Sequence, residues 1–285
     1  ELYYVYVVDD DELLKGTVSL KRLIISRSNA KIKNILNADV ISVRTDTKSD
    51  EVAKIMEKYD LVSLPVVDQI GRLVGRITID DVVDVIKEEA EKDYQMISGI
   101  TEDIEPHDNA FMHTRARLPW LLIGLLGGIL GAQIISLFEE NLRIDPNIAL
   151  FFPLIAAMGG NVGVQSSSIV VQGIAANIID LQSTTKKLLK ELVVALFNGS
   201  ILSALIFTYN LIFSDSFTLT ITVSVALLAV IMFASVFGTF VPLILHRFRI
   251  DPALATGPFI TTANDIMGIF IYLGIGRLFY SMMQF

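Results

Sequence analysis

The chain has 285 residues, of which 52% are hydrophobic and 19% charged, and its formal net charge at pH 7 is −8. This acidic balance argues against nucleic acid as a partner and favours bound cations. The sequence contains no cysteine, which excludes disulfides and thiolate metal sites.

The composition changes near residue 117. Residues 1–117 hold 23 acidic and 16 basic residues, whereas residues 118–285 hold 8 and 7. We therefore predict a multi-domain fold: an α+β soluble domain followed by an all-α polytopic membrane domain of five transmembrane helices. The opening ELYYVYVVD has no Met and no charged n-region and is typical of a strand, so we expect a further segment before it.

The soluble part repeats one pattern of strand, acidic turn, strand and helix, around residues 5–23 and again around 64–86. The second copy contains Gly75, Thr78 and Asp81. This spacing resembles the G-x-x-T-x-x-D signature of CBS domains, in which the Thr hydroxyl and the Asp carboxylate hold an adenosine ribose. The resemblance implies ATP at Thr78 and Asp81. The alternative is that Thr78 caps the following helix and Asp81 favours its N-terminal dipole.

The helix predicted after Thr78 carries a run of carboxylates, four of which recur at helical spacing. The run comprises Asp81, Asp84, Glu88, Glu89, Glu91 and Asp93. Carboxylate groups bind hard divalent cations through oxygen. The run therefore predicts a regulatory cation site, and the alternative is a solvated helix face.

Five apolar segments follow, each long enough to cross a bilayer. They lie at about 118–138, 147–176, 190–213, 217–246 and 253–282. The predicted domains are the CBS domains at 1–79 (the first one truncated), an acidic connecting helix at 80–97, a connector at 98–117 and a pore domain at 118–285.

Basic residues fall on alternate sides of these segments, at 115 and 117, at 186–190, and at 247 and 249. The positive-inside rule then places the N-terminal domain in the cytoplasm and the C-terminus outside the cell membrane.

The second apolar segment contains polar and helix-breaking residues in its central portion. Pro153 and the Gly159–Gly160 pair can free backbone carbonyls, and Asn161 adds a neutral side-chain oxygen. Irregular backbone at membrane depth is tolerated only where it faces protein or water. We predict that Gly159, Gly160 and Asn161 line a pore. The alternative is close helix packing through small residues.

The fifth segment begins with Asp251 and Pro252, is expected to bend at Gly257–Pro258, and carries Asp265 near its middle. An Asp at the centre of a spanning helix costs about 2.5–3.5 kcal/mol on insertion scales, and such residues mark ion pathways. We therefore predict that Asp265 holds a cation in the pore, rather than being a protonated Asp bonded to a neighbouring helix.

The second span reads P-x-x-x-x-x-G-G-N-x-G-x-Q-S and the fifth reads D-P-A-L…G-P-F-x-T-T-x-x-D-x-x-G. With the CBS repeat and the acidic helix, these motifs resemble the MgtE family of magnesium channels across essentially the whole chain. The resemblance implies a homodimer in which Asp265 holds hydrated Mg²⁺, and it matches Gly159–Asn161 to the family GGN. Val164 replaces a family Asn.

The same resemblance implies that cytosolic Mg²⁺ closes the pore by bridging the connecting helix to neighbouring domains. Asp93 matches an acid of that helix, Lys92 replaces the adjacent family Glu, and Asp251 matches a carboxylate near the cytosolic pore mouth.

The sequence thus predicts a Mg²⁺-selective uptake channel gated by cytosolic Mg²⁺. The alternative is a gradient-coupled transporter or exporter of divalent cations such as Mn²⁺ or Co²⁺. An intramembrane metalloprotease needs a motif such as HExxH, and His246 is the only His after His113, so we expect no enzyme. The expected cofactors are Mg²⁺ and ATP. The expected partners are a second copy, the lipid bilayer and divalent cations, without nucleic acid.

Overall fold

The structure, a computed structural model, describes residues 3–175 and 184–283. It divides into two compact units, Glu1–Lys92 and Asp93–Phe285, and the division falls inside one helix. It therefore lies 13 residues after the predicted boundary at 79–80. Residues 1–2 of the predicted CBS domains, and residues 176–183 and 284–285 of the predicted pore domain, lie outside the described residues.

The first unit contains two β-hairpins, each followed by a helix. Its elements are β1 (Tyr4–Val8), β2 (Leu14–Ser19), α1 (Leu20–Ile25), α2 (Ile32–Ile35), β3 (Val43–Arg44), α3 (Ser49–Lys58), β4 (Ser63–Val67), β5 (Leu73–Thr78) and the start of α4 (Ile79–Ile97). β1 and β2 form one antiparallel sheet, and β3, β4 and β5 form a second, in which β3 runs parallel to β4.

The turns of the two hairpins meet. The backbone N–H of Leu14 donates to the carbonyl of Gly71 at 3.1 Å, and that of Leu73 donates to the carbonyl of Glu12 at 3.0 Å. Met56 and Leu64 are almost fully buried in the core beneath the second sheet. The predicted repeat therefore forms an α+β domain with two similar halves.

The second unit is helical. Its helices are the end of α4, α5 (Ala110–Leu137), α6 (Glu139–Ile144), α7 (Phe152–Ala175), α8 (Thr184–Phe213), α9 (Phe217–Arg247) and α10 (Pro258–Met283), with short 3₁₀ helices at Pro146–Phe151 and Pro252–Ala255. Within the described residues, five of its helical segments are long and apolar enough to cross a membrane, which confirms the predicted fold class. The first begins at Ala110, where Asn109 caps α5, eight residues before the predicted start of that span.

The expectation that Pro and Gly free carbonyls inside the second span is wrong. α7 runs without a break from Phe152 to Ala175. Pro153 lies in its first turn, where a missing N–H costs no helical hydrogen bond. The expected bend in the fifth segment is instead a full break, because a 3₁₀ helix ends at Ala255 and α10 begins at Pro258.

α9 is the most buried of the five spans, and α7, α8 and α10 all pack on it. α10 also packs on α5 and α7. Near its end, α10 is tied to the link between α6 and α7: Tyr272 Oη donates to the carbonyl of Ile148 at 3.0 Å, and Tyr280 Oη donates to Asp145 Oδ2 at 2.6 Å. These bonds hold α10 in a fixed rotation relative to α7, which positions the residues described next.

Candidate functional site

Asp265 lies two turns into α10 and is half-buried. Its carboxylate borders a cleft of about 430 Å³ formed by α5, α7 and α10. It is the only charged residue among the described residues that line the cleft, and the others are glycine, alanine, isoleucine and threonine. A carboxylate in a small apolar cleft inside a membrane unit favours a cation or a proton there.

The glycines of α7 lie behind this carboxylate. A β-carbon built on Gly160 would be 3.4 Å from Asp265 Oδ1 and 3.1 Å from Thr261 Cγ2, and one on Gly159 would be 3.1 Å from Val230 Cγ1. Both glycines are buried. In the single chain they therefore allow α7 to approach α9 and α10 closely, which is the packing role that the sequence left open.

Asn161 differs from the two glycines that precede it. It is exposed, as is Gln165 one turn later, so both side chains lie on the outward face of α7. Pore lining by Asn161 therefore stays a prediction that requires a second surface opposite this face.

Asn264 precedes Asp265 and lies on the buried side of α10, 1% exposed. Within the described residues, neither its side-chain oxygen nor its nitrogen has a hydrogen-bond partner. A β-carbon on Gly163 would overlap this amide. The side-chain amide of Asn264 is thus enclosed between α7 and α10, next to the carboxylate of Asp265.

The break before α10 forms a joint with the end of α4. Asp251 is exposed and its Oδ1 accepts the N–H of Ala253 at 2.9 Å, so it caps the 3₁₀ helix rather than α10. Gly257 has a φ of 63°, and a β-carbon there would overlap the carbonyl oxygen of Ile97. Only glycine allows the last residue of α4 to approach this joint.

The acidic residues of α4 lie along an exposed helix. Asp84, Glu88 and Glu89 are exposed, whereas Asp93 is half-buried, and Lys87 Nζ lies 3.8 Å from Glu91 Oε1. Within residues 3–175 and 184–283, no three Asp, Glu or His side chains come together as ligands of one metal ion. A metal ion at α4 would therefore need oxygen atoms from water or from another surface, and the predicted regulatory site stays a prediction.

Thr78 and Asp81 contact each other at the start of α4. Asp81 Oδ2 accepts the Thr78 hydroxyl at 2.5 Å and the Thr78 backbone N–H at 2.8 Å. The hydroxyl hydrogen bond, followed by the backbone one, lowers the pKa of Asp81 below its ordinary value. Asp81 thus accepts the backbone N–H of the residue before α4, as in one half of a capping box, and a bound ribose would have to replace these bonds.

One buried-contact carboxylate of the membrane unit, Glu191 in α8, was not predicted from the sequence. Its Oε1 accepts the hydroxyl of Ser166 in α7 at 2.6 Å and that of Ser235 in α9 at 3.1 Å. The two serines are 3% and 1% exposed. The available signal was a Glu within a span, directly after three lysines that drew attention only as a charge cluster.

Comparison with known proteins finds a matching family for the membrane region and for the soluble region. Residues 152–275 match the family described as MgtE, divalent cation transporter, and residues 32–88 match the CBS domain. The chain is 34% identical to the magnesium transporter MgtE of Bacillus subtilis over 276 residues, and 36% identical to that of Thermus thermophilus over 280 residues. These alignments cover 97% of the chain. Residues 152–275 therefore carry the MgtE family domain.

The chain spans about three-fifths of the length of those relatives, 61% and 62% respectively. The relatives are transporters and not enzymes, in agreement with the expectation from sequence. The CBS match covers the second copy of the repeat, and the first copy lies outside it. Among solved structures, the cytosolic domain of the Mg²⁺ channel MgtE in complex with ATP matches 30% of this chain and 34% of its own, at 50% identity and a TM-score of 0.29.

Proposed function

We propose that this chain moves Mg²⁺ across the cell membrane as a channel, with Asp265 as the residue that holds the ion in transit. The observation that carries the proposal is the half-buried carboxylate of Asp265 in its cleft between α5, α7 and α10, within a chain that carries the MgtE family domain. Mg²⁺ loses its water reluctantly and is usually held through one or two carboxylates with several waters retained. One carboxylate among small side chains suits a hydrated ion.

The ion path lies between two copies of the chain. In the single chain Asn161 and Gln165 form an outward polar face on α7, beside the glycines that back Asp265. Polar side chains facing lipid are costly, so a second copy with its own α7 face is the expected cover. The homodimer thus places two Asp265 carboxylates and two Asn161 amides along the ion path between the copies.

Gating uses the acidic residues of α4. At high cytosolic Mg²⁺, ions neutralise the repulsion among these carboxylates and hold α4 in the closed state. At low Mg²⁺ the repulsion loosens it. The contact of Ile97 with the Gly257 joint provides a mechanical connection from α4 to α10, and Asp251 lies at the start of that joint. This switching requires Mg²⁺ to bind the closed state more tightly than the open one. Because the Mg²⁺ that binds α4 is cytosolic, the N-terminal domain lies in the cytoplasm and the C-terminus lies outside.

ATP is the proposed second regulator, with its ribose at Thr78 and Asp81. The hydroxyl and the carboxylate are already adjacent there. Ribose hydroxyls would take over the hydrogen bonds that Asp81 now accepts.

Mg²⁺ uptake into proteoliposomes, followed with an internal Mg²⁺-sensitive dye, tests the proposed transport. The channel predicts uptake driven by the Mg²⁺ gradient alone, unchanged when a pH or Na⁺ gradient is imposed. Uptake that requires either gradient would instead show the coupled transporter, and Mn²⁺ or Co²⁺ flux exceeding that of Mg²⁺ would contradict Mg²⁺ selectivity.

A further inference from the structure

A large cleft lies at the amino end of α5, where this helix meets the end of α4 and the start of α10. Its volume is about 870 Å³. Arg117 is the only charged residue among the described residues that line it; the others are apolar, glycine, serine, threonine and one tryptophan, Trp120. A single cation at the mouth of a mainly apolar cleft selects an amphipathic ligand with one anionic end.

The guanidinium of Arg117 is available to such a ligand. The side chain is exposed, and its Nη2 lies 3.3 Å from Nδ1 of His113, a contact that leaves its charge uncompensated. Arg115, two residues earlier, differs: its Nε lies 2.9 Å from Glu102 Oε1. The two arginines therefore lie near the start of α5, one paired with a carboxylate and one lining the cleft.

The cleft continues along the membrane helix. Gly124 and Thr262 line both this cleft and the smaller one that contains Asp265, so the two adjoin. A β-carbon on Gly124 or Gly128 would meet nothing within 4 Å, which keeps the groove open on the α5 side. From Arg117 to Gly128 the helical rise is about 16 Å, close to the roughly 15 Å of hydrocarbon in one leaflet.

We propose that this groove binds one anionic phospholipid, with its phosphate on Arg117 and an acyl chain along Trp120, Gly124 and Gly128. Basic pockets between membrane helices recognise anionic headgroups, and tryptophan lies preferentially at the headgroup level. The lipid contacts the residues after α4 and the first turn of α10 at the same time, so it stabilises the joint at Gly257. At Gly128 the acyl chain reaches the cleft that contains Asp265, but lipid binding at Arg117 does not depend on Mg²⁺ being the transported ion.

Native mass spectrometry of the full chain, released from nanodiscs of equal phosphatidylglycerol and phosphatidylcholine, measures the bound lipid directly. We expect phosphatidylglycerol to be retained preferentially. Arg117→Gln should weaken this retention about fivefold, the effect of one basic residue at a headgroup. Arg115→Gln is the matched control, because it removes the same charge from the same end of α5 outside the cleft, and it should change retention less than twofold. Equal losses in the two variants would show a nonspecific surface charge and overturn the site.

Filling the groove provides a second test that keeps the charge. Gly124→Leu should lower phosphatidylglycerol retention, whereas Gly274→Leu, at another glycine with open space around it, should not. The melting temperature of each variant in detergent shows that it is folded. Displacement of the lipid by millimolar inorganic phosphate would identify a free-anion site and contradict a lipid site. Because the readout is bound lipid, a failure here is distinct from a failure of Mg²⁺ transport.

Discussion

Gly160 of α7 lies against the carboxylate of Asp265 in α10, at a distance where a β-carbon would be 3.4 Å from Oδ1. One turn further along α7, Gly163 lies against Asn264 so closely that a β-carbon would overlap the amide. The two glycines thus bring α7 against consecutive residues of α10, one on the cleft side and one on the buried side. This contact determines how much room remains beside the proposed ion site.

The packing at these glycines predicts a graded loss of stability. Gly163→Ala forces a methyl group into the buried amide of Asn264, and overpacking of this kind costs about 1–3 kcal/mol. Gly160→Ala meets its neighbours at 3.1 Å and 3.4 Å and should cost less. Gly274→Ala is the control, because a β-carbon there meets nothing within 4 Å. Thermal unfolding in detergent measures the stability of each variant. Equal stability of Gly163→Ala and Gly274→Ala would contradict the close approach of α7 to α10.

The hydrogen bonds of Glu191 predict that this carboxylate holds α7, α8 and α9 together. Glu191→Leu removes the carboxylate that accepts both buried hydroxyls and leaves Ser166 and Ser235 only their mutual contact at 3.3 Å, which costs about 1–3 kcal/mol. Glu191→Gln keeps an acceptor oxygen and should cost less.

Thermal unfolding of the same variants, with Glu140→Gln as an exposed control on α6, measures these costs. If the Leu variant is as stable as the wild type, the hydroxyl bonds contribute nothing and the assignment fails.

The acidic helix predicts that transport depends on Mg²⁺ at the side of the N-terminal domain. Replacing Asp84, Glu88 and Glu91 with their amides should remove most of the inhibition by Mg²⁺ on that side and leave the uninhibited rate unchanged. The reason is that the amides neither repel one another nor bind a hard cation strongly. Flux into oriented proteoliposomes at several Mg²⁺ concentrations measures the effect.

The control removes three exposed acids of the same domain outside α4, at Glu51, Glu57 and Asp60. This variant should keep the inhibition. An identical loss in both triple variants would assign the effect to net charge, and retained inhibition in the α4 variant would make its acids a solvated face.

The Thr78–Asp81 contact predicts a pH dependence near the ordinary pKa of Asp. Because the folded-state pKa of Asp81 is lowered, its contribution to stability is present above the unfolded value of about 3.9 and is lost as the pH falls through the folded value. Thr78→Val removes the hydroxyl bond and should raise the pKa of Asp81. A carboxyl ¹³C titration followed by NMR measures it, and an unchanged pKa in Thr78→Val would show that the hydroxyl is not the cause.

The sequence predicted the class of fold and the existence of the spans because long apolar runs and repeated hairpin patterns are local signals. It also placed Asp265 within the last span, where α10 has it. The predicted free carbonyls in α7 were wrong. A proline in the first turn and buried glycines leave a helix intact when a neighbouring helix fills the space beside them. That space depends on Thr261 and Asn264, which are about 100 residues away in the chain.

Glu191 shows a different limit. Its role depends on serines contributed by two other helices, and no spacing within α8 indicates them. The groove at Arg117 is likewise a product of three segments that meet only in the folded chain. Contacts of this kind follow from helix packing, which periodicity does not specify.

The most direct measurement of the central claim is Mg²⁺ uptake by the wild type and by Asp265→Asn, reconstituted at equal amounts in the same lipid. The substitution keeps the size of the side chain and removes its charge. The account predicts rapid uptake by the wild type and a rate near that of empty liposomes for Asp265→Asn, with an unchanged melting temperature. Uptake by Asp265→Asn at the wild-type rate would contradict it, because Mg²⁺ would then cross the membrane without this carboxylate.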